Sequence, residues 1–365
     1  MNFFIINQMT KQQNNACIKP VRFAIVGCGH IGKRHLEMIQ KDGRGVVTAL
    51  CDVKDPLDLS LSEDALSLPF YHDYRKMLSL HQGDIDIVSV CVPNGLHADV
   101  GEAVLLSGFH ALIEKPVVLW DSEATRLREA ERKSGRRVYG VLQNRYTPSS
   151  VWLKSLIESG KLGKIYHVRL DCLWNRDQRY YLPRQWHGDL HLDGGTLFTQ
   201  YSHFVDLLTW WFGPVGQIEY ARYDNFNHSE MIDFEDSGDI CFTFNSEAKG
   251  VIHYSTAVFD HNMEIALTVL AENGAIKVGG PFLNRVEQCT VKDYVMPDVP
   301  ASRPGNQYGG YSGSAQNHHL VIGHVISDLL GEEAEIITLE DALSVVHTIR
   351  SFYDFSPEMK SLLRK

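Results

Sequence analysis

Two side chains in this sequence have the types and settings that proton and charge chemistry needs. Lys115 stands in Ile-Glu-Lys-Pro (113–116), at the end of an apolar run. A lysine at a strand's carboxyl end could point into a crevice and steady an oxygen that gains negative charge; its bland alternative is a solvated surface lysine. His203 lies in DGGTLFTQYSHFVD (193–206), which reads as the start of a helix, with Thr199 four residues before it on the same face. A neutral imidazole can take a proton near pH 7, although a buried structural histidine reads the same way. Asp206, one turn on, would orient His203 or cap a neighbouring loop.

A third feature concerns phosphate. GCGHIG places Gly27, Gly29 and Gly32 at the spacing of a dinucleotide loop, with His30 and Ile31 between the last two. It follows the apolar run VRFAIVG and opens a helix, which is the context that gives the pattern meaning. The helix N-terminus then faces the pyrophosphate. Asp52 ends the next strand, about twenty residues beyond Gly32, where an acid accepts hydrogen bonds from the ribose hydroxyls and repels a 2′-phosphate. NAD is therefore expected over NADP. Pro93, Asn94 and His97 of CVPNGLH, and Glu114 beside Lys115, fall at the same rim and are expected against the cofactor. Pro116 invites a cis peptide.

Strands are expected at 21–27, 46–53, 85–93, 110–116 and 136–145, with helices at 31–41, up to 105 and at 123–133. That alternation predicts βαβ units and a parallel sheet. Past 145 the rhythm changes. A helix at 150–159 precedes an alternating strand at 164–174, and 194–212 reads as helical. Runs at 215–223, 238–244, 250–257, 264–270, 275–278 and 286–291 then predict a mostly antiparallel sheet. A Pro/Gly/Ser loop spans 299–314, and helices at 316–330 and 339–353 close the chain. The expected domains are a polar arm (1–20), an α/β nucleotide-binding domain (21–145) and an α+β domain (146–365); Met1 or Met9 would start translation.

The net charge of −10 over 365 residues argues against nucleic acid or an anionic membrane as the main partner. The seven scattered cysteines include no C-x-x-C pair, which points to a reducing cytoplasm rather than disulfides or zinc. No segment reads as a signal peptide or membrane span. One window breaks the acidic trend. Residues 174–187 hold Arg176, Arg179 and Arg184 against Asp177, with Tyr180, Tyr181 and Trp186. Guanidinium forks suit carboxylate or phosphate, and rings suit a sugar or uracil face. Asn144 and Arg145 follow the strand at 136–145 and would face the same crevice; each arginine could equally be solvated. His187, Asp189, His191 and Asp193 alternate as chelators can, yet hydride transfer needs no metal, so none is expected and Asp193 is read as a helix cap.

GCGHIGKRH, CVPNGLH, EKP and DGGTLFTQYSHFVD, in this order, resemble the glucose–fructose oxidoreductase/inositol dehydrogenase (Gfo/Idh/MocA) family. The resemblance implies a Rossmann domain with a parallel sheet, then an α+β domain whose large, mostly antiparallel sheet has an open face and joins copies into a dimer or tetramer. It implies NAD(P)-dependent oxidation or reduction of a sugar-like alcohol, with Lys115 contacting the reacting hydroxyl and His203 as the acid–base group. Thr199 and Tyr201 stand where the family often has aspartate and glycine. LQNRYTP (142–148) and the window 174–195 narrow the resemblance to bacterial UDP-N-acetyl-2-amino-2-deoxyglucuronate 3-dehydrogenases of surface-polysaccharide synthesis. That implies substrate contacts from Lys115, Asn144, Arg145, Arg179, Arg184, Trp186, Thr199 and His203. The alternatives are a dehydrogenase of a free sugar or inositol, an NAD-dependent glycosidase with transient C3 oxidation, and a non-catalytic NAD-binding regulator.

Overall fold

A computed structural model describes residues 19–183, 186–308 and 310–362. Most of the expected arm, and Arg184, lie outside the described residues. Six strands form the first sheet: β1 (Val21–Val26), β2 (Gly45–Cys51), β3 (Phe70–Tyr71), β4 (Ile87–Val90), β5 (His110–Ile113) and β6 (Val138–Gly140). They run parallel in the order β3-β2-β1-β4-β5-β6, the doubly wound order of dinucleotide-binding domains. Ile87, Val88, Ser89 and Val90 are all buried, as a strand covered on both faces requires.

The second sheet has seven strands: β7 (Ile165–Leu173), β8 (Val215–Asp224), β9 (Ser237–Phe244), β10 (Lys249–Ser255), β11 (Glu264–Ala271), β12 (Gly274–Gly279) and β13 (Arg285–Val291). Their order is β13-β12-β11-β7-β10-β9-β8, antiparallel except for the β7–β10 pair. Side chains alternate. Val168, Leu170 and Cys172 with Ile240, Phe242 and Phe244 face the core, while Arg169, Asp239 and Lys249 point away. The core face is covered by the helices Ser202–Phe212 and Leu339–Phe355.

The chain does not divide cleanly at 145. The helix His318–Leu329 returns to the first domain and packs on the helix His30–Asp42. Its Val321, Ile322, Val325 and Ile326 complete the apolar cluster of Phe23, Ile25, Ile39 and Leu50. Ile337 accepts a main-chain hydrogen bond from Gly140, so the segment before the last long helix also extends the first domain's edge.

The expected helix at 194–212 begins late and differently. Leu197–Tyr201 is π-helical, and regular α-helix runs from Ser202 to Phe212. Such wide turns concentrate at functional sites because they redirect main-chain groups. The strand expected through 145 stops at Gly140, and Gln143–Tyr146 forms a 3₁₀ turn.

Candidate active site

The glycine loop is built as its spacing requires. Gly27 has φ of 91°, and a Cβ there would lie 2.4 Å from the Cys91 carbonyl oxygen. A Cβ on Gly32 would lie 1.9 Å from the Gly27 carbonyl oxygen, so the helix could not pack against the strand. Gly29 has open space at its Cβ position and caps the helix His30–Asp42 without a side-chain hydrogen bond. That leaves room for a pyrophosphate at the helix N-terminus. Asp52 follows β2; its carboxylate accepts from Cys28 N at 2.7 Å and Lys54 N at 2.9 Å, which fixes it beside the loop. His30 lies edge-on to Tyr308, and Ile31 is half-buried.

The rim residues have mostly structural partners. Pro93 opens the 3₁₀ turn Asn94–Leu96. Asn94 donates to the Asp193 carbonyl at 2.9 Å and to Thr199 Oγ1 at 3.1 Å, tying the two domains together. His97, expected against the cofactor, differs: Nδ1 meets the Pro116 carbonyl at 2.6 Å and Nε2 the Val92 carbonyl at 2.9 Å, so no ring nitrogen remains for a ligand. Glu114 is buried between His35 (3.0 Å) and His318 (3.5 Å). Burial opposes its charge, but the two histidines outweigh it and hold the carboxyl well below its usual range. Among the described residues these three form the cluster with metal-ligand proximity, and the expected absence of a metal did not consider them.

Lys115 follows β5, and its bond to Pro116 is cis. Its ammonium donates to the Thr199 carbonyl, exposed by the π-helical turn, at 2.7 Å. Burial lowers its pKa, with Glu114 and Asp193 opposing and Arg176 adding to the fall. His203 comes from the second domain and is buried. Desolvation and then the charge of Lys115 push its pKa well below the usual value, so the ring is neutral at physiological pH. Gln143 Nε2 donates to His203 Nε2 at 3.2 Å. That leaves His203 Nδ1 and Gln143 Oε1 buried without partners. Turning the amide over would hold Nε2–H and free the Nδ1 lone pair, so either arrangement leaves one ring nitrogen for a ligand.

Asp193 does more than cap. Its Oδ2 accepts from Gly188 N at 2.8 Å, while Oδ1 is buried and unpartnered. Burial raises its pKa to about 8 against the pull of Gly188 N–H and Lys115. Thr199 donates to the Asp193 carbonyl at 3.1 Å and does not reach His203.

The arginines sort unexpectedly. Arg145 grips Asp206 with Nε and Nη2 (2.6–3.1 Å) and meets Asp341 at 3.2 Å. Asp206 therefore neutralises Arg145 and does not orient His203. Arg179 is exposed and closed on Asp177 at 2.7 Å. Trp186 packs edge-on to His187, which stacks on Tyr180 at 4.1 Å. Asn144 accepts from Ser314 Oγ at 2.7 Å, with Nδ2 left without a partner. The sequence reading missed Gln143 and His318. Gln143 directly precedes the expected pair Asn144–Arg145, and only its place after the strand end could have flagged it.

Two family models cover most of this architecture: the NAD-binding Rossmann fold of the oxidoreductase family over residues 21–141, and the GFO/IDH/MocA C-terminal domain over 151–277. The chain belongs to the Gfo/Idh/MocA oxidoreductase family. Its first domain is thus an NAD-binding Rossmann domain. The WlbA dehydrogenase of Bordetella pertussis, crystallised with NADH and UDP-GlcNAcA, is 30% identical with a TM-score of 0.81, covering 92% of this chain and 98% of that one. The WlbA dehydrogenase of Chromobacterium violaceum, with the same ligands, is 26% identical with a TM-score of 0.80 over 96% of both chains. Inositol 2-dehydrogenase of Salmonella typhimurium is 33% identical over 147 residues, which span 40% of this chain and 43% of that protein. This chain thus matches under half the length of that curated relative.

Proposed function

We propose that this member of the family oxidises a ring hydroxyl, at C3, of a UDP-activated N-acetylglucosaminuronic acid. Gly27, Gly29, Gly32 and Asp52 would hold NAD, which supplies the hydride acceptor. The hydroxyl proton passes to neutral His203, while the Lys115 ammonium donates to the oxygen on which negative charge gathers. Gln143 orients the imidazole: with its amide turned so that Oε1 accepts Nε2–H, the Nδ1 lone pair is the proton acceptor, and the carbonyl of Thr199 holds the ammonium until substrate arrives. The observation that carries the reading is the pairing of Lys115 and His203 across the domain boundary, one lowered in pKa by burial, the other kept neutral with a spare ring nitrogen. The likeness to the two WlbA enzymes supports the sugar-nucleotide part, and assembly through the open face of the second sheet belongs to the same reading.

The inositol dehydrogenase likeness favours a free polyol as the competing substrate. Thermal-shift titration of sugar nucleotides and polyols with NAD present separates them. A rise in melting temperature with UDP-N-acetylglucosaminuronic acid is expected; a rise with polyols alone would overturn the sugar-nucleotide reading.

A further inference from the structure

Arg176 heads the fully buried side chains by size, at 2% exposure. Its Nε donates to Gln200 Oε1 at 2.6 Å, Nη1 to the Asn175 carbonyl at 2.6 Å and to Asn262 Oδ1 at 3.1 Å, and Nη2 to the Ser312 carbonyl at 3.2 Å. Three rings surround the guanidinium, with centroids 4.7 Å (Trp174), 5.3 Å (Tyr180) and 5.1 Å (Tyr311) away. Every oxygen in that shell is neutral. Among the described residues no carboxylate pairs with Arg176, whereas Arg145 and Arg179 each hold two.

A buried cation without a counter-ion costs several kcal/mol, and ring contacts return only part of it. The cost rises further because Lys115 carries a second charge within Coulombic reach. The two cations are joined by a short path: Arg176 holds Gln200, the next residue is Thr199, and the Thr199 carbonyl holds Lys115. Four of the five guanidinium N–H groups are accounted for, leaving one on Nη2. The charge is therefore held one short path from Lys115, with one N–H left for something anionic to complete.

We propose that Arg176 recognises a carboxylate carried on the reacting sugar ring, and that it sets the preference for a sugar acid over its neutral counterpart. A carboxylate at C6 shares the ring with the carbon being oxidised, whereas a nucleotide's phosphates hang from the anomeric side. This rests on the sugar-nucleotide dehydrogenase reading and assigns one of its specificities to a residue that sequence spacing did not separate from Arg179 and Arg184.

The test compares UDP-N-acetylglucosaminuronic acid with UDP-N-acetylglucosamine, with NAD present, by binding (thermal shift and calorimetry) and by kcat/KM. Arg176→Gln is expected to lose about 10- to 100-fold on the acid, the range of a hydrogen bond to a charged group, and to change less than threefold on the neutral sugar. Arg176→Lys keeps the charge within the aromatic cage, so it covers the case in which the first variant fails to fold. It is expected to retain part of the acid preference. Equal losses on both sugars in a folded variant would make Arg176 structural or a phosphate contact and overturn the proposal, as would a wild-type protein that does not distinguish them. Acid binding that depends on Arg176 without NADH formation would overturn the dehydrogenase reading and leave Arg176 in place.

Discussion

Asp193 holds the most costly carboxyl of the site. Its pKa of about 8 means that the folded chain keeps a proton that the unfolded chain has lost once pH passes the ordinary aspartate value of 3.8. Stability therefore falls as pH rises between those values, by roughly 1.4 kcal/mol per pH unit at most, and the loss is complete above about 8. Glu235, raised to about 7 by burial, adds to the same slope. Asp193→Asn removes one contribution, so its melting temperature is expected to gain on the wild type from pH 5 to pH 8; parallel curves would contradict the assignment. At this scale the sequence was informative where chemistry depends on spacing. Gly27, Gly29, Gly32 and Asp52 lie within one βαβ unit, and Lys115 ends a strand. It was uninformative where a partner comes from afar. Asp206 pairs with Arg145 across 61 residues, and His318 reaches Glu114 from the far end of the chain, so proximity in sequence instead suggested Asp206 for His203.

The elements explain why such partners meet. The helix His318–Leu329 has a buried stripe, which its sequence shows, but periodicity does not say which domain receives it. It seals the Rossmann core from outside the stretch 21–145. Ile326, fully buried against that core, is expected to cost about 2–5 kcal/mol when cut to alanine. The loss should weaken NAD binding along with stability in a denaturation series with and without NAD; a variant with wild-type stability would show that the helix is not part of that core. Strands of alternating pattern, such as β9 and β10, were legible at nearly full length. The two-residue β3 and the helix Tyr74–Leu80 were not, because neither is long enough for a period to show. The π-helical turn was hidden for another reason: it fills a stretch whose residues all suit an α-helix, and the need to present the Thr199 carbonyl to Lys115 is tertiary.

For the molecule as a whole, a net charge of −10 conceals two cations, Lys115 and Arg176, whose side chains bond to neutral oxygens. The Rossmann domain brings the glycine loop, Asp52 and Lys115; the second domain brings His203, Arg176 and Asp193; the turn at Asn94 bonds one to the other. No helix among the described residues is long and apolar enough to cross a membrane. In the proposed reaction Lys115 and His203 together move a proton off a substrate hydroxyl. The most direct test is NADH formation from NAD and UDP-N-acetylglucosaminuronic acid by the wild type, Lys115→Met and His203→Asn, with the NAD dissociation constant measured in parallel. Net NADH is expected from the wild type, with kcat about 10²- to 10⁴-fold lower in each variant and NAD affinity within twofold. Near-normal turnover in either variant, or sugar release with no NADH, would contradict it.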